Sequence, residues 1–375
     1  MEPWPQWLGL LSFAHVTRPL LGRTLPQQQS PTPIERNCLM PTVEANDQRL
    51  CWGGTASLEQ GYSWTKPWRI PHEDQDLYSP GVSELAGRAE TASGVRLRFT
   101  TDATECTLYT EPLDEDGNCD LYADGDFVAT VDFVAGQTTT PFVDLPSGEK
   151  VVEIWLSQAM PVPVRAVELP EGSSLERSED NRLKWITYGS SITHCRTAGS
   201  PSFTWPGVVA RGKNFNLTSF GFSGQCHADP MMARLIRDQP ADFISVKVGI
   251  NIYGGASLGP RAFRPAVIGT IATIRDGHPE TPFAVCSPIW GHDRETAPNS
   301  VGLTLQQMRI EVREAVESFR RRGDANLYYV DGLTLFGKDL AHLLPDNLHP
   351  NAEGYCRMGE NFLKEVFEVQ GVVVG

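Results

Sequence analysis

The 375-residue sequence has no C-x-x-C pair and no His/Cys cluster at zinc spacing, although it holds eight cysteines. Scattered along a chain of this length, they do not make the dense framework that staples small secreted domains, so reduced and mostly buried thiols are expected. Positive charge is scarce as well: 32 Lys and Arg stand against 46 Asp and Glu, a formal net charge of -14. That balance repels phosphate backbones and anionic lipid surfaces, so neither a nucleic acid nor a membrane is an expected partner. No apolar run approaches the ~20 residues that span a bilayer. The patch from Trp7 to Ala14 is short, has only the charge of Glu2 before it, and no small-residue cleavage site follows. It lacks the basic start of a secretory signal, and a cytoplasmic location is expected, with secretion left open. Phosphate loops and dinucleotide fingerprints are missing too; no cofactor and no metal are expected.

What is present divides into three stretches, and the length itself favours two domains. Residues 1–48 carry Gln27-Gln28-Gln29, Pro31 and Pro33 with little periodicity and read as an N-terminal extension. From 49 to 175, short alternating runs such as Val95-Arg96-Leu97-Arg98-Phe99 and Phe127-Val128-Ala129-Thr130-Val131 are separated by turn signals such as Asp124-Gly125-Asp126. This is the pattern of an antiparallel β-sandwich, jelly-roll-like in its many short strands. The polar stretch from Pro170 to Asp180 reads as a linker. From 176 to 375 the rhythm changes: apolar strands at Trp185–Tyr188, Leu217–Phe220, Phe243–Val248, Phe283–Cys286 and Leu327–Val330 alternate with helix-length segments. Leu305, Met308, Val312, Val316 and Phe319 share one helical face, and a helix at about 352–369 closes the chain. Alternating units of this size imply a parallel sheet covered by helices on both sides. Asn216-Leu217-Thr218 matches a glycosylation sequon but falls in an expected core strand, where the match is a coincidence.

In open parallel sheets the ligand lies beyond the carboxyl ends of the strands, so the residues just after each strand matter most. After the first comes Gly189-Ser190-Ser191-Ile192-Thr193, after the second Gly221-Phe222-Ser223-Gly224-Gln225, and after the third Gly249-Ile250-Asn251. Before the last helix stands Asp346-Asn347-Leu348-His349-Pro350. A serine hydroxyl is a weak nucleophile without a base, and a carboxylate three residues from a histidine can fix its tautomer and stabilise its protonated form. Ser191 is thus the expected nucleophile, His349 its base and Asp346 the orienting acid. The backbone N–H groups of Ser191 and Gly224 and the side chain of Asn251 are the expected oxyanion donors.

These four blocks, in this order, resemble the SGNH or GDSL-type hydrolase superfamily over about residues 183–368. The resemblance implies a flavodoxin-like three-layer α/β/α domain and a serine-dependent carboxylic-ester hydrolase working through an acyl-enzyme. It matches Ser191 to the family's serine, Gly224 and Asn251 to its oxyanion residues, and Asp346 and His349 to its last block. Ser190 stands where the GDSL name has aspartate, and Ile252 follows Asn251 where aspartate is common. A β-rich front half looks like that of some carbohydrate esterases and of bacterial tailoring acyltransferases of polyketide pathways. The stretch from Ser93 to Thr104 is similar to the latter. An acyltransferase acting on an alcohol of a small metabolite or polyketide is therefore the alternative, with a small-molecule ester, glycan ester or acyl-CoA as donor. A third reading is an inactive carbohydrate- or partner-binding protein.

Other residues compete for attention. Gly255-Ala256-Ser257-Leu258-Gly259 matches the G-x-S-x-G elbow of α/β-hydrolases, but Tyr253-Gly254 breaks any strand before it, and Pro260 follows. A glycine-rich loop is the expectation there. His194 and His227, close after the nucleophile and the oxyanion glycine, are candidates for the pocket wall or for structural histidines. Trp205 and Trp290 are candidates for a substrate-binding wall, though large aromatics near strand ends are more often core.

Overall fold

The computed structural model describes residues 42–375; the apolar patch at 7–14 and the extension up to 41 lie outside the described residues. The front half comprises β1 (Thr42–Glu44), β2 (Cys51–Gly53), β3 (Ser57–Gln60), β4 (Thr65–Trp68), β5 (Arg96–Thr101), β6 (Cys106–Thr110), β7 (Gly117–Ala123), β8 (Asp126–Phe133), β9 (Thr139–Phe142), β10 (Lys150–Trp155) and β11 (Val164–Glu168). They form two antiparallel sheets, β3-β4-β11-β6-β9 with β1 added on β11, and β2-β5-β10-β7-β8. Leu97, Phe99, Leu121 and Ile154 from one sheet meet Leu108, Val164 and Val167 from the other in a single apolar core. The hairpin of β7 and β8 turns on Asp124 (φ 51°) and Gly125 (φ 88°), the two left-handed positions that a tight hairpin needs.

Three details depart from the expected layout. Thr42–Glu44 lies in the stretch read as an extension, yet it pairs with β11 and buries Val43; three residues are too few to show a period. The polar stretch before the second half is pinned rather than free: Thr100 and Glu176 exchange backbone hydrogen bonds of 2.9 Å, and Thr101 Oγ1 donates to Ser174 O. Short helices at Gln75–Tyr78 and Leu85–Ala89 interrupt the strands, too short for an apolar stripe to announce them.

The second half is built on β12 (Lys184–Gly189), β13 (Asn216–Gly221), β14 (Phe243–Lys247), β15 (Phe283–Cys286) and β16 (Leu327–Val330), all parallel, in the order β13-β12-β14-β15-β16. That is the doubly wound 2-1-3-4-5 order, whose switch point falls between the first and third strands. Ile186, Tyr188, Ile244 and Val246 face one helical layer; Trp185 and Phe243 face the other, against Trp205 and Phe362. The helix Leu305–Arg320 starts at a capping box of Thr304 and Gln307 and buries Leu305, Met308, Val312 and Val316. The last helix, Ala352–Phe362, continues through a π-helical stretch to Val369. Among the described residues no helix is long and apolar enough to cross a membrane.

β13 is an edge strand, and the sandwich covers it. Its carbonyls at Leu217, Ser219 and Gly221 are two residues apart and point the same way, as the pleat requires. Arg96 Nη1 donates to Leu217 O at 3.0 Å, and Arg69 Nη1 donates to Ser219 O at 3.1 Å and Gly221 O at 2.6 Å. The alternation around β5 therefore has a second meaning: Leu97 and Phe99 enter the sandwich core, while Arg96 on the opposite face is also buried, against the neighbouring sheet. Arg69 further donates to Thr91 O, Thr91 Oγ1 and Arg88 O. Burial pushes its guanidinium down to about 9.

Candidate active site

β13, β12 and β14 lie side by side, so the residues just past their carboxyl ends converge. β12 ends in Gly189, and a single helical turn, Ser191–His194, follows. The cap of that turn is Ser190, whose Oγ accepts from Ile192 N at 3.3 Å. The capping role thus falls to the residue beside Ser191 and leaves the Ser191 hydroxyl free for other work. Ser191 Oγ lies 2.8 Å from His349 Nε2, and His349 Nδ1 lies 2.6 Å from Asp346 Oδ2. A carboxylate only accepts, so Nδ1 carries the proton and Nε2 is left to accept from Ser191.

The Asp346–His349 segment is a tight turn. Asp346 Oδ1 accepts from Leu348 N at 3.0 Å and His349 N at 2.7 Å, with Asn347 in the left-handed region at φ 61°. Burial alone would raise the Asp346 carboxyl, but the backbone N–H and ring of His349 and the Leu348 N–H outweigh it and hold it below the usual carboxylate value. Arg294 Nη1 anchors the turn by donating to Asn347 O at 3.0 Å.

Gly224 and Asn251 line the same cavity of about 400 Å³ as Ser191 and His349. Asn251 Oδ1 accepts from Cys226 N at 3.0 Å, which leaves its Nδ2 as the group free to donate. Two glycines, Gly221 at the end of β13 and Gly224 beyond it, are needed for different reasons. Gly224 has φ +75° with open space where a Cβ would sit; at Gly221 a Cβ would come within 2.3 Å of His194 N. Arg88, Arg196, Thr197 and Tyr355 complete the rim with Ser223 and Leu348. Arg88 comes from the front half, at a position nothing in the local sequence marks. A larger hollow of about 620 Å³ lies on the sandwich around Gln60, Trp64, Tyr109 and Arg165, and no histidine lines it.

Residues 183–367 match the family model of the GDSL-like lipase/acylhydrolase family, and residues 50–162 match that of the SsfX3 N-terminal domain. Among solved structures, the salicylyl-acyltransferase SsfX3 from a tetracycline biosynthetic pathway is 32% identical with a TM-score of 0.84, over 91% of this chain and 100% of that one. The chain belongs to the GDSL-like lipase/acylhydrolase family. A putative GDSL-like lipase from Bacteroides ovatus ATCC 8483 (21% identity, TM-score 0.70, 90% and 99% covered) shares the fold. So does a family two carbohydrate esterase from Clostridium thermocellum (16% identity, TM-score 0.61, 86% and 100% covered). No curated protein matches the chain.

Within this GDSL-like site the other candidates separate. His194 is buried, with Nδ1 2.8 Å from Ser223 Oγ and Nε2 2.8 Å from Gln158 O, so it stands behind the cavity wall rather than in it. His227 is more open; its Nε2 lies 2.9 Å from Gly224 O and its Nδ1 2.7 Å from Ser257 Oγ. Trp205 is no substrate wall: it is 1% exposed, packed between Trp185 and Phe362 in the core. Trp290 packs against that core and against His292 and does not line the cavity. Ser257 sits in the loop between the helices Ile250–Gly255 and Pro260–Gly277, not at a strand end, which removes the elbow reading. Asn216 holds Arg96 Nη2 through its Oδ1 at 2.7 Å, so the sequon asparagine is engaged at the seam between the halves.

Proposed function

We propose that this GDSL-like protein is a serine acyl-transfer enzyme that passes the acyl group of an ester or thioester to an alcohol of a small molecule. The observation that carries the reading is the unbroken line from Ser191 Oγ through His349 to Asp346, at 2.8 and 2.6 Å. Ser191 Oγ attacks the carbonyl as its proton passes to His349 Nε2, and Asp346 stabilises the imidazolium. The developing oxyanion is met by Ser191 N–H, Gly224 N–H and Asn251 Nδ2, each such donor worth about 3–4 kcal/mol of barrier. His349 then protonates the leaving group, and an ester on Ser191 remains. The acceptor's hydroxyl loses its proton to His349 and attacks that ester, and Ser191 Oγ leaves as it takes the proton back from His349. Water in the acceptor's place makes the same residues an esterase.

Superfamily breadth favours water. The likeness to a salicylyl-acyltransferase, which runs through both halves at 32% identity, supports an alcohol, and aromatic acyl groups are the first donors to try. An inactive binding protein is disfavoured by a full set of groups held in hydrogen-bonding geometry.

The test is covalent labelling with a fluorophosphonate and mapping of the modified peptide. Label on Ser191, lost in His349→Ala, supports the reading; label elsewhere, or none on a folded sample, overturns it. Supplying alcohols to the acyl-enzyme and weighing ester against free acid then separates the two acceptors.

A further inference from the structure

Ser223 shares the cavity with Ser191, Gly224 and Asn251, and the direction in which its hydroxyl points its proton can be worked out. Its Oγ lies 2.8 Å from His194 Nδ1. On the far side of the ring, Nε2 lies 2.8 Å from Gln158 O, a carbonyl that can only accept. Thr91 Oγ1 is 3.1 Å from the same nitrogen, but its own proton goes to Arg88 O at 2.9 Å. Both neighbours of Nε2 thus require it to carry a hydrogen. The ring is buried, and burial together with the Arg69 guanidinium keeps it neutral, pushing its pKa down to about 3. A neutral imidazole with a proton on Nε2 has none on Nδ1, so Ser223 must donate to it. Among the described residues no group donates to Ser223 Oγ in return. What remains of that hydroxyl is a pair of unfilled lone pairs at the cavity wall.

We propose that Ser223 is a specificity-determining hydrogen-bond acceptor, and that the site takes a substrate presenting an O–H or N–H donor to it. This rests on the acyl-transfer reading only in naming what enters the cavity. An ether or carbonyl oxygen at the same place meets lone pairs with lone pairs, so a hydroxylated substrate is favoured over its methylated twin. The donor belongs either to the acyl group or to the acceptor alcohol. The polarity is set from the front half, since Gln158 and Thr91 supply the contacts that fix His194.

Two measurements test this. The first needs no turnover: nitrogen-15 NMR of the histidine-labelled protein between pH 5 and 8, with His194→Gln for assignment. A proton on Nε2 and a bare Nδ1 are expected at His194; a protonated Nδ1 overturns the proposal whether or not the protein is an enzyme. The second compares thioesters of the hydroxybenzoates with their methoxy counterparts as donors, and diols with their mono-methyl ethers as acceptors. In the arm that carries the donor group, the hydroxyl form is expected to be preferred about three- to tenfold, as one neutral hydrogen bond allows. Ser223→Ala is expected to bring that ratio close to one. A ratio unchanged by Ser223→Ala in both arms overturns the proposal, while loss of all turnover in Ser191→Ala checks the acyl-transfer reading separately.

Discussion

Among the described residues, three serine–histidine contacts shorter than 3 Å sit in different surroundings: Ser191 with His349 at 2.8 Å, Ser223 with His194 at 2.8 Å, and Ser257 with His227 at 2.7 Å. What separates them lies on the far side of each ring. His349 faces the Asp346 carboxylate, His194 the Gln158 carbonyl, and His227 the Gly224 carbonyl. A base that takes a proton becomes a cation. A carboxylate at 2.6 Å stabilises that cation, a carbonyl does so far less, and burial beside Arg69 opposes it at His194. Serine–histidine distance alone therefore does not identify a nucleophile; the third group decides.

The comparison should break most severely at that third group. Asp346→Asn is expected to lower kcat about 10³–10⁴-fold with little change in KM, measured on a small aryl ester. A loss below tenfold would erase the distinction between the three pairs. The next cut is Arg69→Leu, which removes the cation beside His194 and leaves the Ser219 and Gly221 carbonyls buried without a donor. Unfolding in urea should show about 3–5 kcal/mol less stability; a change under 1 kcal/mol would mean that water takes over those carbonyls.

The pH dependence of stability isolates the buried ring of His194. His194 has a folded pKa of about 3, against about 6.5 in an unfolded chain. As pH falls through 6.5 the unfolded state binds the proton first, so this contribution to stability is complete above 6.5 and is lost toward 3. The loss is about 1.4 kcal/mol per pH unit within that window. Urea midpoints at pH 7, 6 and 5 should therefore fall more steeply in the native protein than in His194→Gln, and parallel lines would refute the assignment. The smallest effect belongs to the exposed pair: Ser257→Ala should change kcat/KM less than about twofold and leave labelling of Ser191 intact.

Some of this could be read along the chain because the signals are local. The second-half strands are short apolar runs, and the four chemical blocks each sit beside a strand end or the last helix, so order and spacing were enough to draw Ser191, Gly224, Asn251, Asp346 and His349 together as candidates. Trp205 carried no such information, since an aromatic near a strand end looks the same whether it lines a pocket or fills a core. The residues hardest to foresee act across the seam. Arg69 meets Gly221, and Thr91 meets His194, over separations of 152 and 103 residues, and neither end bears any mark of the other. Arg96 was visible only as the polar half of an alternation, which ordinarily means solvent. Its burial depends on a strand that arrives 120 residues later.

The carbonyl row of β13 also bears on how such a protein can change over time. Moved onto a foreign neighbour, residues 176–375 would carry three acceptors at a two-residue pitch with nothing to meet them, an open template for sticking to another chain. A new neighbour would have to bring hydrogen-bond donors at the same heights. Exchanging the front half for another domain therefore leaves this row bare unless donors come with it, and in this chain Arg69 and Arg96 are those donors.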